Sequence, residues 1–212
     1  MKANILLFII IFNFSSLLAQ RHLLNQKYES LSEDFKIENK QLEDYRSRGK
    51  IEIFNEEKHK TKLAKKLLST KSGKTMVFKS DYYQTRYEVL RLQEIPHYRV
   101  RYIFIDKEKF DTQEAFNSYA GKVRKLLKDT AFKSVAMQYS MDYRKHVGGD
   151  SGWFKKGKAH PDFFNQVTNT SRLSEEIFEF EIPEFNGYYF AQKLWSPKDI
   201  TEVLVLYNIE KK

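Results

Sequence analysis

The chain has 212 residues, with 37 Lys+Arg against 28 Asp+Glu for a formal charge of +9; 41% of its residues are hydrophobic, 31% charged, and none is cysteine. That length suits one medium domain, or a small domain with an extension, and 13 Tyr and 17 Phe supply the large buried areas that a core needs. The lack of cysteine excludes disulfide frameworks, thiolate nucleophiles, Cys-ligated zinc or iron–sulfur sites and a lipid-modified N-terminal Cys.

Residues 1–20, MKANILLFIIIFNFSSLLAQ, have one Lys, an unbroken apolar run over Ile5–Phe12 and a short segment ending in Ala19-Gln20. This is the pattern of a secretory signal peptide, with cleavage expected near Ala19 or Gln20. The alternative is an uncleaved membrane anchor. A span needs about 20 mostly apolar residues, and Asn13, Ser15 and Ser16 interrupt this run. The expected product is therefore exported, periplasmic or otherwise extracytoplasmic, without stable membrane insertion. Export also argues against nucleic acid as the partner of the positive charge.

Residues 21–96 read as a mainly helical, Lys-rich extension. Apolar positions Leu24, Tyr28, Leu31, Phe35, Leu42 and Tyr45 form a helical stripe broken at Glu38, with Gly49 as its stop. A second helix is predicted from Asn55, with Glu56 and Glu57 in its first turn and Leu63, Leu67 and Leu68 on its apolar edge. Residues 58–79 hold eight lysines and no acid. They read as a solvated helix face and loop, and alternatively as a patch for anionic lipid or acidic clients. Gly73-Lys74-Thr75 is not a phosphate-binding loop, because Leu68 stands where that motif needs glycine. Short strands are predicted at Thr75–Lys79 and Tyr87–Gln93.

After Pro96, Arg99–Ile105 alternates basic and apolar residues as a strand does. Phe116, Tyr119, Ala120, Val123, Leu126 and Leu127 lie at helical spacing, and Phe132, Val135, Ala136 and Tyr139 mark a second, shorter helix. A glycine-rich loop follows at His146–Gly152. Pro161 fits the first turn of a third helix carrying Phe163, Phe164 and Val167. Strand-like runs close the chain at Ile177–Ile182, Tyr188–Leu194 and Val203–Ile209. The order β-α-α-β-α-β-β, with an extra C-terminal strand, predicts a small α+β domain over 97–212 with a mixed or antiparallel sheet.

Four blocks in this domain carry a family resemblance: FKSVAMQYSMD at 132–142, GGDSGWFKKG at 148–157, PDFF at 161–164 and NGYYFAQKL at 186–194. In order and spacing they resemble the parvulin (rotamase, PpiC-like) class of peptidyl-prolyl cis–trans isomerases, over residues 99–195. The resemblance implies a cofactor-free enzyme that assists the folding of exported proteins, with unfolded or extended Pro-containing polypeptides as partners. It places Phe163 at the proline pocket, Asp142 beside the reacting amide, and Gly149, Asp150, Gly152, Trp153 and Phe154 in the loop and strand beneath. For Trp153 and Phe154 core packing is the favoured reading over a pocket role.

The sequence departs from the family at four positions. Tyr102 and Tyr189 stand where the family commonly places hydrogen-bonded histidines under the pocket. Ser151 and Ala159 replace pocket positions that are usually Leu and Met, which predicts a wider, wetter slot. A second reading follows: a catalytically weak or inactive parvulin-fold chaperone or peptide-binding module. His22, His59, His97, His146 and His160 are dispersed, so no metal site is expected. Lys145, Lys155, Lys156 and Lys158 are expected to give the pocket mouth a positive rim that suits an acidic residue before proline.

Overall fold

The N-terminal stripe folds into two helices separated near the expected break. Residues 30–35 are helical, Lys36 takes a left-handed φ of 52°, and α1 (Asn39–Arg48) follows. Arg46 and Arg48 in its last turn complement the helix dipole before Gly49. The computed structural model describes residues 30–211, so the signal peptide expected at 1–20 lies outside the described residues.

The helix predicted from Asn55 begins later. Lys50–Asn55 is instead a strand, β1. Asn55 is buried; its Oδ1 accepts from the N–H groups of Glu57 and Lys58 at 2.9 and 3.2 Å, and its Nδ2 donates to Glu202 at 2.7 Å. The Asn-Glu-Glu run is thus a turn held by a side chain. Helix α2 (Lys62–Leu68) starts at the cap Thr61, whose hydroxyl accepts from the Ala64 N–H at 3.2 Å.

Strands β2 (Thr75–Lys79) and β3 (Tyr83–His97) form an antiparallel hairpin, and with β1 and the final strand β7 (Lys198–Lys211) they build a sheet of order β1-β7-β3-β2. β1 runs antiparallel to β7, with Ile53 opposite Leu204. One face packs Leu90, Leu204 and Leu206 against Leu31, Phe35 and Leu42. The other packs Phe54, Val89, Val203 and Val205 against Ala64 and Leu67 of α2. The region expected to be a mainly helical extension is therefore a helix–sheet–helix sandwich that also takes in the strand predicted at 203–209. The run Val203–Leu206 is apolar at every position because both of its faces are covered.

The chain divides into two units, and the second, Pro96–Asp199, is inserted between β3 and β7 of the first; the domain expected over 97–212 thus ends where the chain rejoins the first unit at Ile200. It contains β4 (Arg101–Asp106), α3 (Gln113–Asp129), α4 (Phe132–Tyr139), α5 (Pro161–Thr168), β5 (Ile177–Ile182) and β6 (Gly187–Gln192). The three strands form an antiparallel sheet of order β4-β6-β5. The strand expected between α4 and α5 is reduced to two isolated bridges, Arg101 to Asp150 and Tyr98 to Phe154, because Gly149 and Gly152 turn the backbone through positive φ. Ile103, Ile105 and Phe190 pack under Phe116, Val123 and Val135 of α3 and α4. Phe178, Phe180, Tyr189 and Ala191 face Phe163 and Val167 of α5. The fold is α+β, as expected. No helix among the described residues is long and apolar enough to cross a membrane.

Candidate functional site

The α5 side of the second unit holds a cavity of about 300 Å³. Its apolar floor is a triangle of rings: Tyr102 to Phe163 at 5.4 Å between centroids, Phe163 to Tyr189 at 5.3 Å, and Tyr102 to Tyr189 at 5.9 Å. Each ring comes from a different element. Tyr102 is on β4 and Tyr189 on β6, while Phe163 sits in the first turn of α5, after Pro161 and the His160 cap. The His160 Nδ1 accepts from the Asp162 N–H at 3.3 Å, so its Nε2 carries the proton toward Glu184 at 2.6 Å. That bond ties the start of α5 to the Pro183–Phe185 turn, from which Phe185 reaches the cavity.

A hydrogen-bonded chain lies behind Tyr102. The Phe104 N–H donates to the Ser140 Oγ at 3.0 Å, and the Ser140 hydroxyl donates to Asp142 Oδ1 at 2.9 Å. The Tyr102 hydroxyl donates to Asp142 Oδ2 at 2.7 Å. Burial pushes the Tyr102 phenol far above its ordinary range, and the bond to Asp142 adds to the rise, while Arg144 opposes it. Burial raises Tyr189 as well, with a further push from Asp142. Both phenols are therefore neutral at neutral pH. The floor presents an uncharged, largely apolar surface, with the Tyr102 hydroxyl oxygen held at its edge by the bond to Asp142.

The glycine loop is clamped to the start of β4. Arg99 donates from Nε and Nη2 to the two oxygens of Asp150, and Asp150 also accepts from the Gly152 N–H at 2.8 Å. The Arg99 hydrogen bond holds the Asp150 carboxyl below its ordinary value. A depressed folded pKa stabilises the fold above the unfolded value and loses that stabilisation as pH falls through the folded one. Against Asp150→Asn, the wild-type chain is expected to have a Tm advantage that is full at pH 7 and shrinks below about pH 4. Thermal unfolding followed across that range measures it, and a gap of constant size would contradict the pairing.

Most of the residues picked out from the sequence converge here. Tyr102, Tyr189, Phe163, Ser151, Ala159 and Phe154 line the cavity, and Asp142 sits behind Tyr102. Trp153 is not among the lining residues; it lies against Arg99, with the guanidinium 5.9 Å from its ring. Ser151 wets the slot less than expected, because its hydroxyl accepts from the Val100 N–H at 3.0 Å and donates to the Gly152 carbonyl at 2.9 Å. Of the expected lysine rim, Lys158 lines the cavity, whereas Lys155 is only 5% exposed. His160 also lines it. Tyr143, Arg144 and Phe185 were not legible as site residues. Arg144 arrives because the turn Tyr143–Val147 folds back, its Nη1 donating to the Asp150 carbonyl at 3.3 Å.

Residues 86–182 match the family model of the PPIC-type PPIase domain. The match stops at the end of β5, so Phe185 and Tyr189 lie beyond it. Among solved structures, PrsA from Bacillus subtilis is 23% identical over 47% of this chain and 35% of its own, with a TM-score of 0.36. A peptidylprolyl isomerase (PrsA) from Bacillus anthracis is 25% identical over 50% of this chain and 44% of its own, at 0.38. A PpiC-type peptidyl-prolyl cis–trans isomerase domain is 20% identical over 50% of this chain and 94% of its own, at 0.41. The chain thus spans less than half the length of the two PrsA chains. No curated protein matches the sequence.

Proposed function

We propose that the chain is an exported peptidyl-prolyl cis–trans isomerase that acts, without a cofactor, on extended Pro-containing segments of other exported polypeptides. The observation that carries this reading is the triangle of Phe163, Tyr102 and Tyr189 around a cavity of about 300 Å³, backed by the Tyr102–Asp142 bond. An X–Pro amide isomerises across a barrier of about 18–20 kcal/mol. Twisting removes amide resonance, so the transition state is less charge-separated than the planar bond. A dry aromatic slot therefore favours the twisted form over the ground state. In this reading Phe163 and Tyr189 hold the proline ring, Ser151, Ala159 and Phe154 wall the slot, and Asp142 accepts the Tyr102 hydrogen bond and fixes the position of its hydroxyl oxygen beside the amide. The apolar run at 5–12 in the sequence supports export.

Arg144 and Lys158 line the cavity and have no carboxylate partner among the described residues, which supports a preference for an acidic residue before proline. Protease-coupled isomerisation of Glu-Pro, Ala-Pro and Lys-Pro peptides tests both points. Acceleration is expected in that order, and Arg144→Gln should cut the Glu-over-Ala ratio about fivefold, since a partly exposed charge contributes up to about 1 kcal/mol. A folded chain that accelerates none of the peptides overturns the proposal. It would leave the second reading, a parvulin-fold chaperone without efficient catalysis, which Tyr102 and Tyr189 at the family's histidine positions favour.

A further inference from the structure

The first unit concentrates positive charge on one ribbon of chain. Residues 58–87 hold eight lysines and Arg86 against a single acid, Asp81. Among the described residues Lys60 pairs with Glu57 at 3.6 Å, while Lys62, Lys65, Lys66, Lys71, Lys74 and Lys79 have no carboxylate partner. These six run along α2, the loop after it and β2. The loop is tied to β3 by the Gly73 N–H donating to the Val89 carbonyl at 2.7 Å and the Val89 N–H donating to the Lys74 carbonyl at 2.9 Å. The Lys66 ammonium lies 5.5 Å from the centre of the Phe78 ring, so the helix lysines adjoin the hairpin.

That hairpin is the apolar end of the same surface. β2 is an edge strand. The turn beyond it exposes Tyr82 at 73% and Tyr83 at 49%, and it is ordered by the Tyr83 N–H donating to the Ser80 Oγ at 3.1 Å. Val77 is 44% exposed on one side of β2, and Phe78 is half-buried on the other.

We propose that the β2–β3 hairpin and the lysines of 62–79 dock the chain on an anionic lipid bilayer, with Tyr82 and Tyr83 entering the headgroup layer tip-first. Charge complementarity selects an anionic partner. The placement of the apolar groups selects a bilayer over a polypeptide. They lie at the tip and on both sides of the edge strand, where a fluid interface surrounds them, whereas a bound peptide strand would cover one edge and leave the tip in water. Tyrosine suits the headgroup layer, and lysine stems cover apolar surface while their ammonium groups stay hydrated.

The test uses the chain from Arg21, the product expected after signal cleavage, which retains every described residue. Co-sedimentation is measured with phosphatidylcholine vesicles, and with vesicles carrying about 30% phosphatidylglycerol, at low and high salt. Binding is expected to be at least tenfold tighter to the anionic vesicles and to weaken with salt. Replacing Lys66, Lys71, Lys74 and Lys79 together by Gln should weaken it a hundredfold or more, at roughly fivefold per lysine. Tyr82→Ser with Tyr83→Ser should weaken it about tenfold without changing the salt slope. All six side chains are exposed or at the surface, so circular dichroism and prolyl isomerisation should be unchanged in both variants. Equal binding to neutral and anionic vesicles, or a lysine variant that binds like wild type, overturns the proposal. Polyglutamate that binds more tightly than the anionic vesicles would also overturn it, in favour of an acidic polypeptide.

Discussion

Phe163→Ala is expected to lower kcat/KM for prolyl isomerisation by about a hundredfold, because it removes the ring that makes two of the three contacts on the cavity floor. The Phe163 centroid lies 5.4 Å from Tyr102, 5.3 Å from Tyr189, 5.8 Å from Phe180 and 6.1 Å from Phe154. Without it, water enters the slot and the differential stabilisation of the twisted amide falls. The side chain is also core: it is 7% exposed and packs among Val167, Phe178 and Ala191. A loss of stability of about 3 kcal/mol should accompany the loss of rate. The fold is thus not expected to be indifferent to this substitution, although the sequence places Phe163 only at a pocket. Phe163→Leu separates the two effects, since a near-isosteric swap costs less than about 1.5 kcal/mol while still removing the flat aromatic surface, and a rate loss of about tenfold is expected. Rates normalised to the folded fraction decide the matter. An alanine variant that is folded and keeps half its activity would remove Phe163 from the site.

The sequence is most legible where a segment's apolar period reports its own burial. Helix α4 at Phe132–Tyr139 and strand β5 at Ile177–Ile182 have the expected limits, because each presents a single apolar face to one sheet or one helix layer. Legibility fails where the deciding partner is remote. Asn55-Glu56-Glu57 has the composition of a helix start, yet the Asn55 side chain is committed to Glu202, 147 residues away. The membership of β7 in the first sheet depends on helix layers drawn from residues 31–67, which nothing in the run 203–206 encodes. The site divides in the same way. The family resemblance points to Phe163, Tyr102, Tyr189 and Asp142, and their convergence follows from strand registers that pair Phe104 and Phe180 with Tyr189. Arg144 has no motif signal; its place depends on a short turn folding back against Asp150. Lys155 carries the composition of a rim residue but is buried, and Trp153 is turned to Arg99.

Gly149→Ala is expected to be the most damaging single-methyl change in the second unit. Gly149 has φ +78°, and a Cβ added there would meet the Tyr102 carbonyl oxygen at 2.2 Å and the Ala136 Cβ at 3.1 Å. Left-handed backbone costs an alanine roughly 1–2 kcal/mol. The clash is with backbone, so no side-chain rotation relieves it; the loop must lift from β4. Lifting it strains two bonds, the Tyr102 N–H to the Gly149 carbonyl and the Gly149 N–H to the Arg144 carbonyl, both 2.9 Å. At about 1 kcal/mol for each bond, the total reaches about 3–4 kcal/mol, or a fall in Tm of roughly 15–25 °C for a unit of this size. Gly157→Ala is the control. It has φ +76° and nothing within 4 Å of the added Cβ, so it carries the backbone cost alone. Activity should fall further than the unfolded fraction explains, because moving the backbone at Tyr102 displaces its hydroxyl from Asp142. Thermal unfolding of the two variants side by side makes the comparison. Equal losses would mean that the close approach of the loop to β4 contributes nothing, whereas a Gly149 deficit of several kcal/mol makes that approach the element that sets the position of the Tyr102 ring.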